Sequence, residues 1–241
     1  MVNVFLAYAI YAWMPLEQLS LGTTLPDTLN EMPRWQLALF NAGSVFILYA
    51  LLGLAGFWFS KKLGLAGIFR ENGGWKDWVI QPMLIGLTVG ILMMLFDRIF
   101  ALMRTWQGFP HPPFPLSLLA SASAGIGEEI VFRLFMLGLL AFMLNLLFGR
   151  WLPVTVNLRI ANIVAALAFS AGHLPISMAL FEVNSPTQLP LVVLSEIFLL
   201  NSGLGLIAGQ RFIRDGLVAA VGVHFWADIV WHVIFPILGL S

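Results

Sequence analysis

Six stretches of this chain, at about 35–59, 78–104, 116–148, 158–180, 189–213 and 216–239, are apolar for long enough to cross a bilayer, whose hydrocarbon core is roughly 30 Å thick. No other feature constrains the fold as much. Inside hydrocarbon every backbone N–H and C=O must find a partner within the protein, so only helices and closed barrels span it. Continuous apolar runs of this length are helices. A shorter apolar segment at 2–16 has no basic leading region and no small-residue cleavage site. It therefore reads as a retained span or an interfacial segment and not as a cleaved signal peptide. The expected fold is all-α: one integral membrane domain over 1–241, a polytopic transmembrane helical bundle of about seven spans (six to eight) around a polar cavity.

Composition agrees. Only 10% of the 241 residues are charged and 60% are hydrophobic, whereas a soluble domain carries about 25% charge; mean hydropathy is +0.91. A net charge of +0 offers no basic field for nucleic acid. With no cysteine in the chain, disulfides, thiolate catalysis and thiolate metal sites are excluded. The 116–148 run exceeds one upright span, so it must tilt, break near Gly125 and Gly127, or protrude from the bilayer. Trp35, Trp58, Trp75, Trp78, Trp106 and Trp151 fall near predicted boundaries, as an aromatic belt requires. Lys61, Lys62, Arg70 and Lys76, then Arg150 and Arg159, then Arg211 and Arg214, occupy loops on one side of a seven-span arrangement, with only Arg34 and Arg104 among Glu17, Asp27, Glu31 and Glu182 opposite. The positive-inside rule makes the basic side cytoplasmic and places the N-terminus there. Residues 108–115, four of them proline, read as a stiff, extended connector, with a lid at the outer mouth as the alternative.

The chemistry concentrates in Gly127-Glu128-Glu129-Ile130-Val131-Phe132-Arg133. Glu128, Glu129 and Arg133 are the only charges between Pro115 and Phe148. A charge at the bilayer centre costs about 2.5–3.5 kcal/mol on insertion scales, so such residues pair and mark functional sites. On a helix Glu129 and Arg133 share a face and can pair. Glu128 points about 100° away and is left for other work. Two more pairs sit inside apolar runs. Phe169 and His173 are four apart, as are His224 and Asp228. A carboxylate there can fix the imidazole tautomer. One membrane histidine alone reads as an interhelical hydrogen bond. Two of them with a free glutamate and a buried ion pair, on three spans, can converge as general acid–base chemistry requires.

These three pairs, Glu128-Glu129-x-x-x-Arg133, Phe169-x-x-x-His173 and His224-x-x-x-Asp228, resemble the ordered motifs of the CAAX protease and bacteriocin-processing family of intramembrane glutamic endopeptidases. The resemblance covers about residues 115–235. It implies that Glu128 acts as general base on a water, assisted by His173, and that Glu129 and Arg133 form a supporting pair. Phe169 would be a helix-packing partner. His224 would stabilise the oxyanion together with Asp228. Many prenyl-protein proteases have asparagine at that last position, and an ionised Asp beside a developing oxyanion would repel it. Asp228 is therefore better assigned to orienting His224 by accepting its ring N–H, or else must be protonated.

The expected activity is hydrolysis of a peptide bond in a membrane-anchored or lipidated protein or peptide, in a multi-pass protein of a prokaryotic plasma membrane. The partners are that substrate and the bilayer, with no nucleic acid, and nothing in the sequence sets an oligomeric state. The expected cofactor is none. The rival is zinc held by Glu128, His173 and His224 with water in the fourth position, although no HExxH is present. Two other classes stand beside the protease: a non-catalytic scaffold or bacteriocin-immunity protein of the same fold, and an ion-coupled transporter. Asp97 and Arg98 read as snorkelling residues near a span end. Glu196 and Asn201 could line the cavity or bind a neighbouring helix. His232 reads as a packing or interface histidine, Trp226 and Trp231 as core with the wall of an apolar substrate groove as the alternative, and Ala120–Gly125 as a small-residue packing face.

Overall fold

The computed structural model describes residues 1–13, 32–104 and 108–239. They form helices α1 (Val2–Trp13), α2 (Arg34–Lys62), α3 (Lys76–Ala101), α4 (Leu116–Phe148), α5 (Val154–Ala171), α6 (Leu174–Leu180), α7 (Leu191–Asp215) and α8 (Leu217–Ile237). Among the described residues there is no strand. Six segments are long and apolar enough to cross a membrane: α2, α3, α4, α5 with α6, α7 and α8. They answer to the six long apolar runs, and the chain is a multi-pass membrane protein. Helix α1, 12 residues long and so about 18 Å, lies along α2 and against the first half of α4. The remainder of the 2–16 segment lies outside the described residues, as do Glu17, Asp27, Glu31 and Trp106.

The helix ends follow from the sequence. Pro33, Pro115, Pro153 and Pro190 immediately precede α2, α4, α5 and α7; each lacks an N–H, and so marks a start and not a continuation. Gly216, at φ +94°, turns α7 into α8, and a Cβ there would sit 2.7 Å from Ile68 O. The α2–α3 loop clamps this turn: Leu217 N–H donates to Gly67 O at 2.8 Å and Val218 N–H to Ile68 O at 2.9 Å. Asp215, fully buried, pairs there with Arg211 at 2.9 Å and Arg70 at 3.4 Å.

Helix α8 is central. Within its apolar window 56% of residues are buried, against 17% in α2, which shows most of its surface to lipid. Helices α3, α4 and α7 surround α8, and α5 lies along α7. Helix α4 does not break at Gly125 or Gly127. It runs on from Leu116 to Phe148, and its turns widen to π-helix over Ile130–Leu137. Helix α8 does the same over Ile229–Ile234. In both, the widened turns begin immediately after a motif carboxylate, Glu129 in one and Asp228 in the other. Such turns recur at functional sites. At the α4 segment the α2 backbone approaches closely, since a Cβ on Gly56 would lie 2.5 Å from Leu134 C and O.

Candidate active site

The motif side chains gather at one cavity of about 240 Å³ between α3, α4, α5, α7 and α8. Glu128 lines it with a side chain 36% exposed, while Glu129 is fully enclosed. Adjacent positions on α4 thus aim at different partners. Glu129 Oε2 lies 3.1 Å from Arg133 Nε, and its Oε1 accepts a hydrogen bond from His224 Nδ1 at 2.8 Å. Arg133 sits inside the π-helical segment with its guanidinium over the Phe169 ring at 4.5 Å. None of its three nitrogens makes a hydrogen bond among the described residues, so the Glu129 charge and the ring face compensate the cation.

Phe169 is consequently more than a packing partner. Its ring also meets His173 edge-on at 5.0 Å and His224 at 5.5 Å. His173 stands at the turn between α5 and α6, where its Nδ1–H donates to Phe169 O at 3.0 Å. That bond fixes the tautomer and leaves Nε2 for the cavity, which His173 lines. Across from it, His224 Nε2 lies 3.8 Å from Glu128 Oε2 and 3.6 Å from Asp228 Oδ2. The one-turn spacing of His224 and Asp228 predicts that Asp228 accepts the ring N–H of His224. In the structure that hydrogen bond crosses to Glu129, and Asp228 flanks the other nitrogen beyond hydrogen-bond reach. One imidazole therefore has carboxylates at both of its nitrogens.

A second polar group closes the cavity at the end where α4 and α7 begin. Arg104 Nη1 donates to Asp97 Oδ1 at 2.7 Å and to Glu196 Oε1 at 2.8 Å, and Nη2 approaches Asp97 Oδ2 at 3.3 Å. Asp97 is 2% exposed and Glu196 1%, so Asp97 is not a snorkelling residue; only Arg98 is exposed. Glu196 lines the cavity and binds across helices at once. Burial alone would lower the Arg104 guanidinium, but the Asp97 hydrogen bond, with the charges of Glu196 and Asp97, holds it above its ordinary value. Asn201 also lines the cavity, its Nδ2 donating to Ile197 O at 2.9 Å.

The proline segment is a strap across this end. Phe109, Pro110 and Pro112 line the cavity. His111 meets His232 at 3.2 Å between their Nδ1 atoms and leans on Trp231 and Phe235. Burial pushes the His111 imidazole below its ordinary value, against a smaller upward pull from Asp97. His232 and Trp231 are therefore cavity residues. The sequence held one sign of the second group: Glu196 is the only charge between Glu182 and Arg211, and a lone charge in an apolar run needs a partner.

An all-helical membrane bundle whose ionisable side chains converge on one apolar-walled cavity is the architecture of a membrane-embedded catalyst or ion path. The model of the Rce1-like type II CAAX prenyl endopeptidases matches residues 110–230, half of the chain and all three motif pairs. The chain belongs to that family of membrane proteases. A search of curated proteins and a search of solved structures each found no match.

Proposed function

We propose that this protein is a glutamic intramembrane endopeptidase, independent of metal, that cuts a membrane-anchored or lipidated protein or peptide. The observation that carries the reading is the division between the adjacent glutamates. Glu128 is open to the cavity with its Oε2 3.8 Å from His224 Nε2, while Glu129 is enclosed and committed to Arg133 and His224. In this reading a water sits between Glu128 and His173 Nε2, which both accept its hydrogens. Glu128 takes one proton as the water oxygen attacks the carbonyl carbon. The oxygen that becomes negative receives a hydrogen bond from His224 Nε2–H, with the ring in its two-proton form and its Nδ1–H held by Glu129. The C–N bond then breaks, and the proton passes from Glu128 to the departing amine. Arg133 and Phe169 act behind this set: the first balances Glu129, and the second keeps both imidazoles in place.

A metal-free course is supported by the donor arrangement. Among the described residues no three His, Asp or Glu side chains converge as ligands. His224 has spent Nδ1 on Glu129, and in the two-proton form its Nε2–H is a donor with no lone pair to offer a metal. The apolar walls, Met93, Leu200, Leu204 and Trp231 among them, suit a membrane-borne chain. Basic residues Arg70, Arg211 and Arg214 gather at one end of the bundle with Asp215, which supports a cytoplasmic face there. The test compares membrane-protein termini in cells carrying native protein or Glu128→Gln. An uncut precursor accumulates in the variant at unchanged folded yield, and cleavage by purified native protein survives strong chelators. Equal processing by both proteins refutes the base. Stoichiometric zinc, lost together with activity and restored with it, refutes the metal-free course.

A further inference from the structure

Glu196 has an oxygen that the fold leaves unused. Its Oε1 takes Arg104 Nη1 at 2.8 Å. Its Oε2 is buried with no hydrogen-bond partner among the described residues, and Glu196 lines the cavity that holds Glu128, His173 and His224. A free acceptor on a side chain only 1% exposed is costly unless something arrives to meet it. The charge count points the same way. Two carboxyls, Asp97 and Glu196, meet a single guanidinium, Arg104, so a second cation would complete the group. Glu128 and Asp228 add two more carboxylates along the same cavity, so the whole enclosure favours a visiting cation.

We infer that Glu196 is a subsite for a basic side chain of the substrate, a lysine or arginine held at a fixed distance from the scissile bond. This rests on the endopeptidase reading above. The helices give the distance. Glu196 lies five residues into α7 and Glu128 twelve residues into α4. Both helices start at the end closed by the strap. At about 1.5 Å per helical residue the two carboxylates differ in depth by roughly 10 Å. That is about three residues of an extended chain. A peptide lying along the cavity would thus present its basic side chain to Glu196 when the bond about three residues away reaches Glu128. Its ammonium or guanidinium would replace water at Oε2 and complete the two-against-two pairing with Asp97 and Arg104.

The inference is tested in two stages. Membrane-protein termini compared between cells with native protein and with Glu128→Ala define the cut sites. A lysine or arginine should recur at one position, about two to four residues from the bond. Two peptides differing only in lysine or norleucine at that position are then cut by native protein and by Glu196→Gln in nanodiscs. Native protein should prefer lysine by about 10-fold or more in kcat/KM, and the variant should lose that preference. The preference is a ratio within one preparation, so a lower folded yield of the variant cancels. Cut sites with no basic residue at a fixed position overturn the subsite, as does a preference that Glu196→Gln leaves unchanged. If no terminus depends on Glu128, the endopeptidase reading fails, and the subsite with it.

Discussion

Glu129 offers the sharpest test of how the site is held, because one enclosed carboxylate serves two partners. Its Oε2 is 3.1 Å from Arg133 Nε and its Oε1 is 2.8 Å from His224 Nδ1. Removing one member of a buried ion pair costs about 3–5 kcal/mol, because the other charge stays behind. Losing a hydrogen bond to a charged group costs about 1.5–3 kcal/mol. Glu129→Gln removes the charge but keeps an oxygen that can accept from His224, so it should lose about 3–5 kcal/mol. Glu129→Ala loses both and should fall by about 5–8 kcal/mol, the whole stability of many domains. Arg133 has little to fall back on: beyond Glu129 its guanidinium meets the Phe169 ring at 4.5 Å. The combination Glu129→Gln with Arg133→Met leaves no charge to strand, and such replacements of buried pairs are often neutral. It should therefore regain most of the stability lost in Glu129→Gln, whereas Glu129→Ala with Arg133 intact should not. Folded yield by size exclusion and thermal unfolding in detergent, followed by tryptophan fluorescence, measure the series. A native-like melting temperature for Glu129→Gln would refute the pairing, and so would a double variant no more stable than the single one.

Three further outcomes are expected. Asp228→Asn should keep turnover within about 10-fold of the native protein or exceed it, because an amide beside His224 Nε2 can donate to the oxyanion where Asp228 cannot; turnover as low as that of Asp228→Ala refutes this. Gly56→Ala should destabilise by about 1–3 kcal/mol or more, because its Cβ would meet the Leu134 backbone at 2.5 Å, and an unchanged melting temperature would show that α2 can move away. His111 is held neutral by burial below its ordinary value. The unfolded chain therefore takes up the proton first, and the stability tied to His111 is intact above about pH 6.5 and is lost as pH falls below it. The melting temperature of the native protein should drop more steeply than that of His111→Phe between about pH 7.5 and 5; parallel curves would refute the assignment.

Much of this architecture is legible in the residues themselves. Long apolar runs can only be helices in hydrocarbon, and the prolines before α2, α4, α5 and α7 announce their starts. The separation of Glu128 from Glu129 follows from helical spacing, which also places Arg133 within reach of Glu129. Spacing fails where contacts cross between helices. His224 and Asp228 are one turn apart, and local geometry joins them, yet the short hydrogen bond of His224 goes to Glu129 on α4, 95 positions away. Arg104 reaches Glu196 over 92 positions, and no local pattern encodes that bond. The cation–π contact of Arg133 with Phe169 was hidden for the same reason. The strap illustrates a different gap. Prolines dictate that 108–115 is extended, but its seat over the cavity depends on His111 finding His232 and Trp231 on α8.

The widened turns after Glu129 and Asp228 make chain length a condition of activity alongside residue identity. A π-helical turn holds one residue more than an α turn. Adding a single residue beside Ile130, where the turns are already widened, would add one helical step. Everything beyond it would then rotate by about 100° relative to Glu128 and Glu129. Leu134 would leave its seat against Gly56, and Arg133 would swing off Phe169, although every motif residue would still be present. A one-residue insertion within Ile229–Ile234 would do the same to Trp231 and His232 while leaving His224 and Asp228 in place. The two segments act as phase-setting joints, each keeping the half of its helix that carries the motif in step with the half that carries the wall.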